Sequence, residues 1–418
     1  MTDKDTEKEK REKKREKTME FSFEKSAFDR AVTPALGCVS GKNTLASIEG
    51  ILLTAEKDAP ACRLCSYDLE KGYQSSFEAN VTEGGSYIIN AQKLSSIVRA
   101  LPDGEIHISI DEKNLVKIYN GKSVFELVAL SGSAFPSMPV LSGERKFTIR
   151  RGTLRSVIDQ VSYAIAQNDS RPSLNGAFFR ITGDKMLAVS CDGNRMALRE
   201  QTCELSDVDA GNDVAEDGTV TRNETGILNC EFIVPGKTLA ELNKLMGGDE
   251  EEPIRIQLSR KHAVFEIGDG EVLFSRIIDS DYIDFERFIP KSNKTFVTID
   301  RERFLHGMEM ASLFSEDRTP GQPRTGVTCI FDDGGLTIAS AAASGRFVDE
   351  IPAEVNGPKI ELCFNCRFLL DALRSCTAPR LLLSMSTPMM SMLIEAPESD
   401  RSDSERFLML VLPMKPLK

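Results

Sequence analysis

Apolar positions along the chain fall into an order that recurs three times. Between Phe232 and Leu258 (FIVPGKTLAELNKLMGGDEEEPIRIQL), Phe232, Ile233 and Val234 form a short β-branched and aromatic run that Pro235-Gly236 interrupts. Leu239, Leu242, Leu245 and Met246 follow at helical spacing, so one face of a helix is apolar. Gly247-Gly248 ends that helix, and Ile254, Ile256 and Leu258 alternate with polar neighbours as a half-buried strand does. The same strand–helix–strand order runs from Tyr87 to Ile110 and from Ile360 to Met385. Copies about one domain apart predict similar domains in tandem.

Two further units repeat in step. A short alternating strand leading into an amphipathic helix begins near Met19, Lys146 and Lys294, and a strand–polar turn–strand begins at Ala61, Leu187 and Leu336. Each domain reads as a pair of helices with roughly eight strands, in similar halves, which is an α+β class with antiparallel sheets and helices on one side. The predicted division is a charged, disordered leader over residues 1–18 and domains over 19–142, 143–292 and 293–418. The second domain carries an acidic insert from Glu204 to Glu224, expected as a disordered loop.

Composition changes this picture little. At 41% hydrophobic, a chain of 418 residues can bury several cores. No apolar run reaches membrane-spanning length and no signal peptide opens the chain, so the expectation is a cytoplasmic protein with no membrane partner. The ten cysteines are scattered through apolar runs and read as reduced core residues.

Charge changes more. The net charge of −12 argues against a nucleic-acid binder until its distribution is considered. Acid gathers in the insert and in Asp249 to Glu252, whereas the six predicted helices together carry +4. Their polar faces present Lys93, Arg99, Arg151, Arg155, Lys237, Lys244, Arg303, Arg367 and Arg374. A basic helix face on an acidic body suits a phosphate backbone, and plain solvation of exposed helices explains the same charges. Catalytic signatures are missing: no phosphate-cradling glycine loop, nucleophile elbow or HExxH occurs. Cys62-x-x-Cys65 and Cys363-x-x-Cys366 have zinc-like spacing without a nearby His, so neither cofactor nor metal is expected. Asp192-Gly193-Asn194-Arg195 could pass for a catalytic turn, but it occupies a strand-connecting position of the repeat.

Several stretches carry a family resemblance. They are Tyr67-Asp68-Leu69-Glu70, Arg171-Pro172-Ser173-Leu174-Asn175-Gly176, Cys191 to Met196, Ser275 to Asp279, Phe288-Ile289-Pro290-Lys291, Phe364-Asn365 and the closing Val411-Leu412-Pro413-Met414. In this order and on a threefold repeat, the chain from Met19 onward resembles the bacterial DNA polymerase III beta subunit, or sliding clamp, family. The resemblance implies a non-catalytic, head-to-tail homodimeric ring that encircles duplex DNA without reading its sequence. Helices would line the hole. The ring would tether the polymerase alpha subunit, the clamp loader and other proteins carrying a clamp-binding motif. A nucleoid-associated location follows. The alternative is a clamp-like peptide-binding scaffold without stable DNA encirclement.

The resemblance also implies sites. Leu174, Gly193, Asn194, Arg195, Met196, Ile283, Arg287 and Phe288 would form one part of a partner-peptide pocket. Asn365, Phe368, Met389, Ser391 and the tail Leu410, Val411, Leu412, Pro413 and Met414 would form the rest. Apolar, adaptable side chains fit such a role; a buried last strand explains part of the tail as well. Lys42, Lys93, Arg99, Arg155, Asn168, Arg171 and Lys237 would face DNA. Phe125 and Leu127 would meet Leu313 and Phe314 of a second copy across the dimer interface, unless these four simply fill cores.

Overall fold

The computed structural model describes residues 17–41, 45–138, 145–214, 220–222, 226–268, 270–315 and 326–414. Of the expected leader over residues 1–18, residues 1–16 lie outside the described residues, as does Lys42, whereas Lys17 and Thr18 open the strand Lys17–Glu24 and are not leader. The six expected helices are present: α1 (Lys25–Ala35), α2 (Ala91–Ala100), α3 (Arg151–Ser162), α4 (Gly236–Leu245), α5 (Arg301–Ser315) and α6 (Cys366–Ser375). Their starts follow from sequence. Asn90 accepts a hydrogen bond from the Lys93 amide (3.0 Å), Asp300 from Arg303 (2.9 Å) and Asn365 from Arg367 (3.1 Å), each closing an otherwise unpaired first turn. At α3 the Gly152 amide instead donates to the Glu250 carbonyl (2.8 Å).

Two compact units emerge. The first holds residues 1–148, 244–247 and 252–276, the second 149–243, 248–251 and 277–418. Both cut through the middle copy of the sequence repeat, because its strands complete sheets in each unit. In the first, strand Lys71–Glu78 pairs with Glu271–Arg276, with Leu273 opposite Tyr73. That pairing extends a run of strands ordered Leu130–Ser131, Gly85–Asn90, Gly50–Ala55, Ala61–Tyr67, Lys71–Glu78, Glu271–Arg276, His262–Ile267 and Pro253–Leu258. A five-stranded sheet runs Asn80–Glu83, Lys17–Glu24, Glu105–Asp111, Leu115–Asn120 and Ser123–Val128. Between α1 and the sheets lies a tight aromatic group, Phe21, Phe23, Phe28 and Phe77, with ring centroids 4.9–6.4 Å apart.

In the second unit a nine-stranded antiparallel sheet is joined by the pairing of Arg195–Thr202 with Glu405–Val411. A four-stranded sheet runs Gly345–Ile351, Gly335–Ala342, Val327–Asp332 and Ile360–Phe364. Helix α5 sits so close to it that a Cβ on Gly307 would lie 2.6 Å from Ile351 and 3.0 Å from Ile338. That approach explains a mid-helix glycine that would otherwise only weaken the helix. The acidic insert, expected as a loop, contains strand Ser206–Asp209 and an antiparallel pair, Asn212–Val214 with Val220–Arg222. Val208, Val214 and Val220 give each of these short strands a β-branched residue, a signal the acidic composition hides.

The joint of the nine-stranded sheet contains a buried cation. Arg199 is 2% exposed, pairs with Glu405 and donates to Gln201 (2.6 Å). Glu405 is half-exposed, so the two partners are unequal. Glu405→Gln leaves a buried guanidinium without its counter-charge and is expected to cost about 3 kcal/mol. Arg199→Met leaves only a carboxylate that can rehydrate and costs less. Urea midpoints of the two variants check the order.

Candidate partner-peptide groove and basic helix faces

The pairing of Arg195–Thr202 with Glu405–Val411 also arranges the expected groove. Side chains alternate across it. Met196, Leu198, Leu408 and Leu410 enter one cluster with Phe178 and Phe285, against which Ile283 packs. Met409 and Val411 enter another on the opposite face, against which Phe368 and Tyr163 pack. The structure thus brings Met196, Ile283 and Leu410 together and places Val411 and Phe368 on the other face. The tail crosses between them. The Leu412 amide donates to the Asn194 carbonyl (2.8 Å) and the Met414 amide to the Cys363 carbonyl (2.7 Å), and Leu412 is 42% exposed. One step beyond the last ladder pair, Met392 with Val411, stand Ser391 and Leu412. Ser391 is buried, and Met389 and Met390 just before it are exposed.

The 3-10 turn Phe285–Phe288 supplies a wall. Residues three apart eclipse in such a turn, so Phe288 lies above Phe285, which is in the Met196–Leu410 cluster. Phe288 is 59% exposed, an aromatic ring that the fold leaves in water. Arg287 beside it is exposed and pairs with Asp284 at 2.6 Å. Leu174, expected in the pocket, is wholly buried in the turn Pro172–Asn175 and offers no surface to a ligand.

The turn Asp192 to Arg195 is built around one carboxylate. Asp192 accepts from the Asn194 amide (2.9 Å), the Arg195 amide (3.0 Å) and Arg195 Nε (3.0 Å). Gly193 takes φ +86°, a left-handed conformation that glycine adopts without strain. Arg195 also reaches Asp371 (2.6 Å), and its guanidinium lies over the rings of Phe368 (4.6 Å) and Tyr163 (5.3 Å). Sequence reading missed Asp371, Tyr163 and Met390. Asp371 had a signal: it lies three residues after Phe368 and four after Arg367, on one helix face.

The expected DNA-facing residues are divided between the two compact units. Lys93 and Arg99 are exposed on α2, opposite its buried Leu94 and Val98. In the second unit Lys237 is exposed at the start of α4, and Arg155 on α3 pairs with Asp159 at 3.8 Å. Asn168 is exposed with φ +58°. Arg171 is already bound: its Nε and Nη2 donate to the carboxylate of Asp169 at 3.0 and 3.1 Å. These hydrogen bonds hold the Asp169 carboxyl down at about 2. A depressed carboxyl stabilises the fold above its ordinary value of 3.8, and that contribution is lost as pH falls through about 2. At neutral pH the pair therefore carries no net charge. Asp169→Asn releases one cation, and the slope of log affinity for duplex DNA against log salt is expected to steepen by about one unit, read by anisotropy.

Apolar side chains are exposed on two sheet edges. Strand Ser123–Val128 bonds only to Leu115–Asn120 among the described residues and exposes Val124, Phe125 and Val128, with Leu127 half-buried. In the second unit, edge strand Gly345–Ile351 exposes Val348. Over it, Phe314 lies 2.8 Å from where a Cβ on Gly345 would be, and Leu313 is 64% exposed. Elsewhere, burial pushes the thiols of Cys62 and Cys65 up to about 12, the opposite of what thiolate chemistry requires. No helix of the described residues is long and apolar enough to cross a membrane.

The comparison with known proteins decides the family. The N-terminal domain of the DNA polymerase III beta subunit matches residues 19–139, the central domain 148–215 and 218–284, and the C-terminal domain 286–414. The chain belongs to the DNA polymerase III beta subunit family. The beta sliding clamp of Bacillus subtilis is 25% identical over 407 residues, covering 94% of this chain and 99% of that one. The beta sliding clamp of Staphylococcus aureus is 26% identical over 364 residues, 85% of this chain and 89% of that one. Among solved structures, the sliding clamp of Bacillus subtilis superposes with TM-score 0.81 at 24% identity, covering 96% of this chain and all of that one. A sliding clamp of Pseudomonas aeruginosa bound to griselimycin gives 0.78 at 24%, with the same coverage. As a beta subunit, the chain is a DNA sliding clamp, a non-catalytic processivity factor of replication.

Proposed function

We propose that this clamp works through three surfaces: a groove for partner peptides, basic helix faces for DNA and two sheet edges for ring closure. The groove is the apolar strip of Met196, Ile283, Phe288, Leu410 and Leu412, with Met389 and Asn365 at its ends. Its occupants are short linear peptides of the polymerase alpha subunit, the clamp loader and other clamp-binding-motif proteins. The observation that carries this is the exposure of Phe288, Met389 and Leu412 beside a closed core. Water-exposed apolar groups of that size mark a binding surface. Lys93, Arg99, Arg155, Asn168 and Lys237 face duplex DNA, with Lys42 and Arg171 as further candidates. Phosphate-directed contacts of this kind are blind to sequence and let the ring slide. Phe125 and Leu127 of one copy meet Leu313 and Phe314 of the next, and head-to-tail contacts that close on themselves make a ring rather than a filament. Tethering raises the effective concentration of the polymerase at the primer end. The matching ranges support domains over 19–142, 143–292 and 293–418. We place the protein in the cytoplasm, on the nucleoid.

The test is retention on DNA. The protein is loaded on a nicked circle with its cognate loader and ATP, and the circle is then cut. Loss on cutting, prevented by blocking the ends, is the expected result. Retention on cut, unblocked DNA overturns encirclement and leaves the peptide-binding scaffold.

A further inference from the structure

We infer that Asp371 is a positioning residue for the peptide groove: from helix α6 it latches Arg195, and through the Arg195 turn it sets the chain end that forms the groove's edge. The inference rests on the peptide-groove reading above. Arg195 comes from the segment matching the family's central domain and Asp371 from the segment matching its C-terminal domain. Their contact at 2.6 Å is therefore a bond between domains, made inside one compact unit. Arg195 is 11% exposed, Asp192 15% and Asp371 26%. A guanidinium so covered cannot move toward a ligand without giving up one of its carboxylates. Its fork is divided, with Nε on Asp192 and Nη1 on Asp371, and its guanidinium carbon lies over the rings of Phe368 and Tyr163. Arg195 is thus fixed by the protein rather than offered to the peptide.

What that fixing accomplishes follows along the backbone. The carbonyl preceding Arg195 belongs to Asn194, and it accepts the Leu412 amide at 2.8 Å. Asp192 shapes the turn, but all of its bonds lie within the turn itself. Asp371 ties the turn to helix α6, which Asn365 caps. Asp371 therefore couples helix α6 to the height of Leu412, alongside the Phe368 ring of the same helix that lies against Arg195. Asp371 also lies 3.9 Å from Arg367, which is 79% exposed and too distant to replace Arg195 as its hydrogen-bond donor.

The experiment uses full-length dimeric protein with Asp371→Asn and Asp371→Glu. Two quantities are read: anisotropy of a fluorescein-labelled peptide copied from the cognate polymerase alpha subunit's clamp-binding segment, and hydrogen exchange of the Leu412 amide in the free protein. Asp371→Asn keeps the shape and removes the charge; it is expected to weaken the peptide about tenfold and to speed Leu412 exchange by a similar factor. Asp371→Glu keeps the carboxylate on a side chain that is 26% exposed and is expected to restore both to within about threefold of the parent. Parental affinity and exchange in Asp371→Asn overturn the latch. Equal losses in both variants overturn it too, since they indicate packing rather than charge. Leu412→Asp separates the two readings: if it leaves peptide affinity unchanged the groove is wrong, while the exchange measurement still decides the latch.

Discussion

Removing residues 412–418 is expected to abolish polymerase stimulation while leaving the ring able to close. The last ladder pair of the sheet is Met392 with Val411, so a chain ending at Val411 keeps every strand of the nine-stranded sheet. It keeps the buried Leu408, Met409, Leu410 and Val411 as well. What goes is Leu412, Pro413 and Met414, with the two amide bonds to Asn194 and Cys363 that hold them down. A partner peptide loses the exposed Leu412 side chain and the ordered edge beside it. Interface anchors of this kind each contribute about 2 kcal/mol or more, so peptide affinity should fall at least ~100-fold. Anisotropy with the labelled alpha-subunit peptide reads this directly, and sedimentation of the truncated protein checks that it remains dimeric. Unchanged affinity would remove the tail from the groove. Leu412→Asp, which keeps the amide bond to Asn194, should reproduce most of the loss by placing a charge where an apolar side chain docks.

The sequence makes the repeated elements legible for a physical reason. Leu239, Leu242 and Met246 announce α4, and Ile254, Ile256 and Leu258 announce a strand, because each element must bury one face and its period records which. Longer-range pairing leaves no such record. Nothing in Lys71–Glu78 names Glu271–Arg276 as its neighbour, so the middle copy reads as one domain although its strands complete sheets in two units. The groove is legible to the same degree. Met196 and Leu410 appear in the sequence as core-like positions, and both are buried. Only the register that puts Met196 opposite Leu410 shows that they share a face with Ile283. The pairing of Arg171 is hidden in the sequence for a different reason. Asp169, two residues earlier, looks like an ordinary neighbour until the loop folds back and its carboxylate takes both arms of the guanidinium. Local charge counting treats such a cation as available when the fold has already used it.

Phe125→Asp is expected to destroy ring closure and, with it, retention on DNA. In strand Ser123–Val128 every residue but the half-buried Leu127 is exposed. A strand exposed on both faces and hydrogen-bonded on one side contributes little to the stability of its own subunit. Soluble proteins guard such edges with charge, proline or a bulge. Here the run Val124-Phe125-Glu126-Leu127-Val128 carries one charge among four apolar residues, which suits an edge built to be covered by another chain. The counterpart proposed in a second copy is edge strand Gly345–Ile351, which has Val348 exposed and Phe314 of α5 beside Gly345, with Leu313 exposed next to it. Placing a carboxylate in an apolar contact without a partner costs about 3 kcal/mol, and the exposed position in the free subunit keeps the fold intact. A two-subunit ring has two such contacts, and both are lost when the subunits separate. The cost is then about 6 kcal/mol, a shift of about 10⁴-fold in the dimer dissociation constant. Analytical ultracentrifugation over a dilution series should find monomer where the parent is dimeric, with an unchanged far-UV spectrum and undiminished peptide binding by the groove. Loaded circles should lose the protein without being cut. A dimer of parental stability would place ring closure on another surface, and peptide binding that fell along with it would mean that closing the ring also shapes the groove.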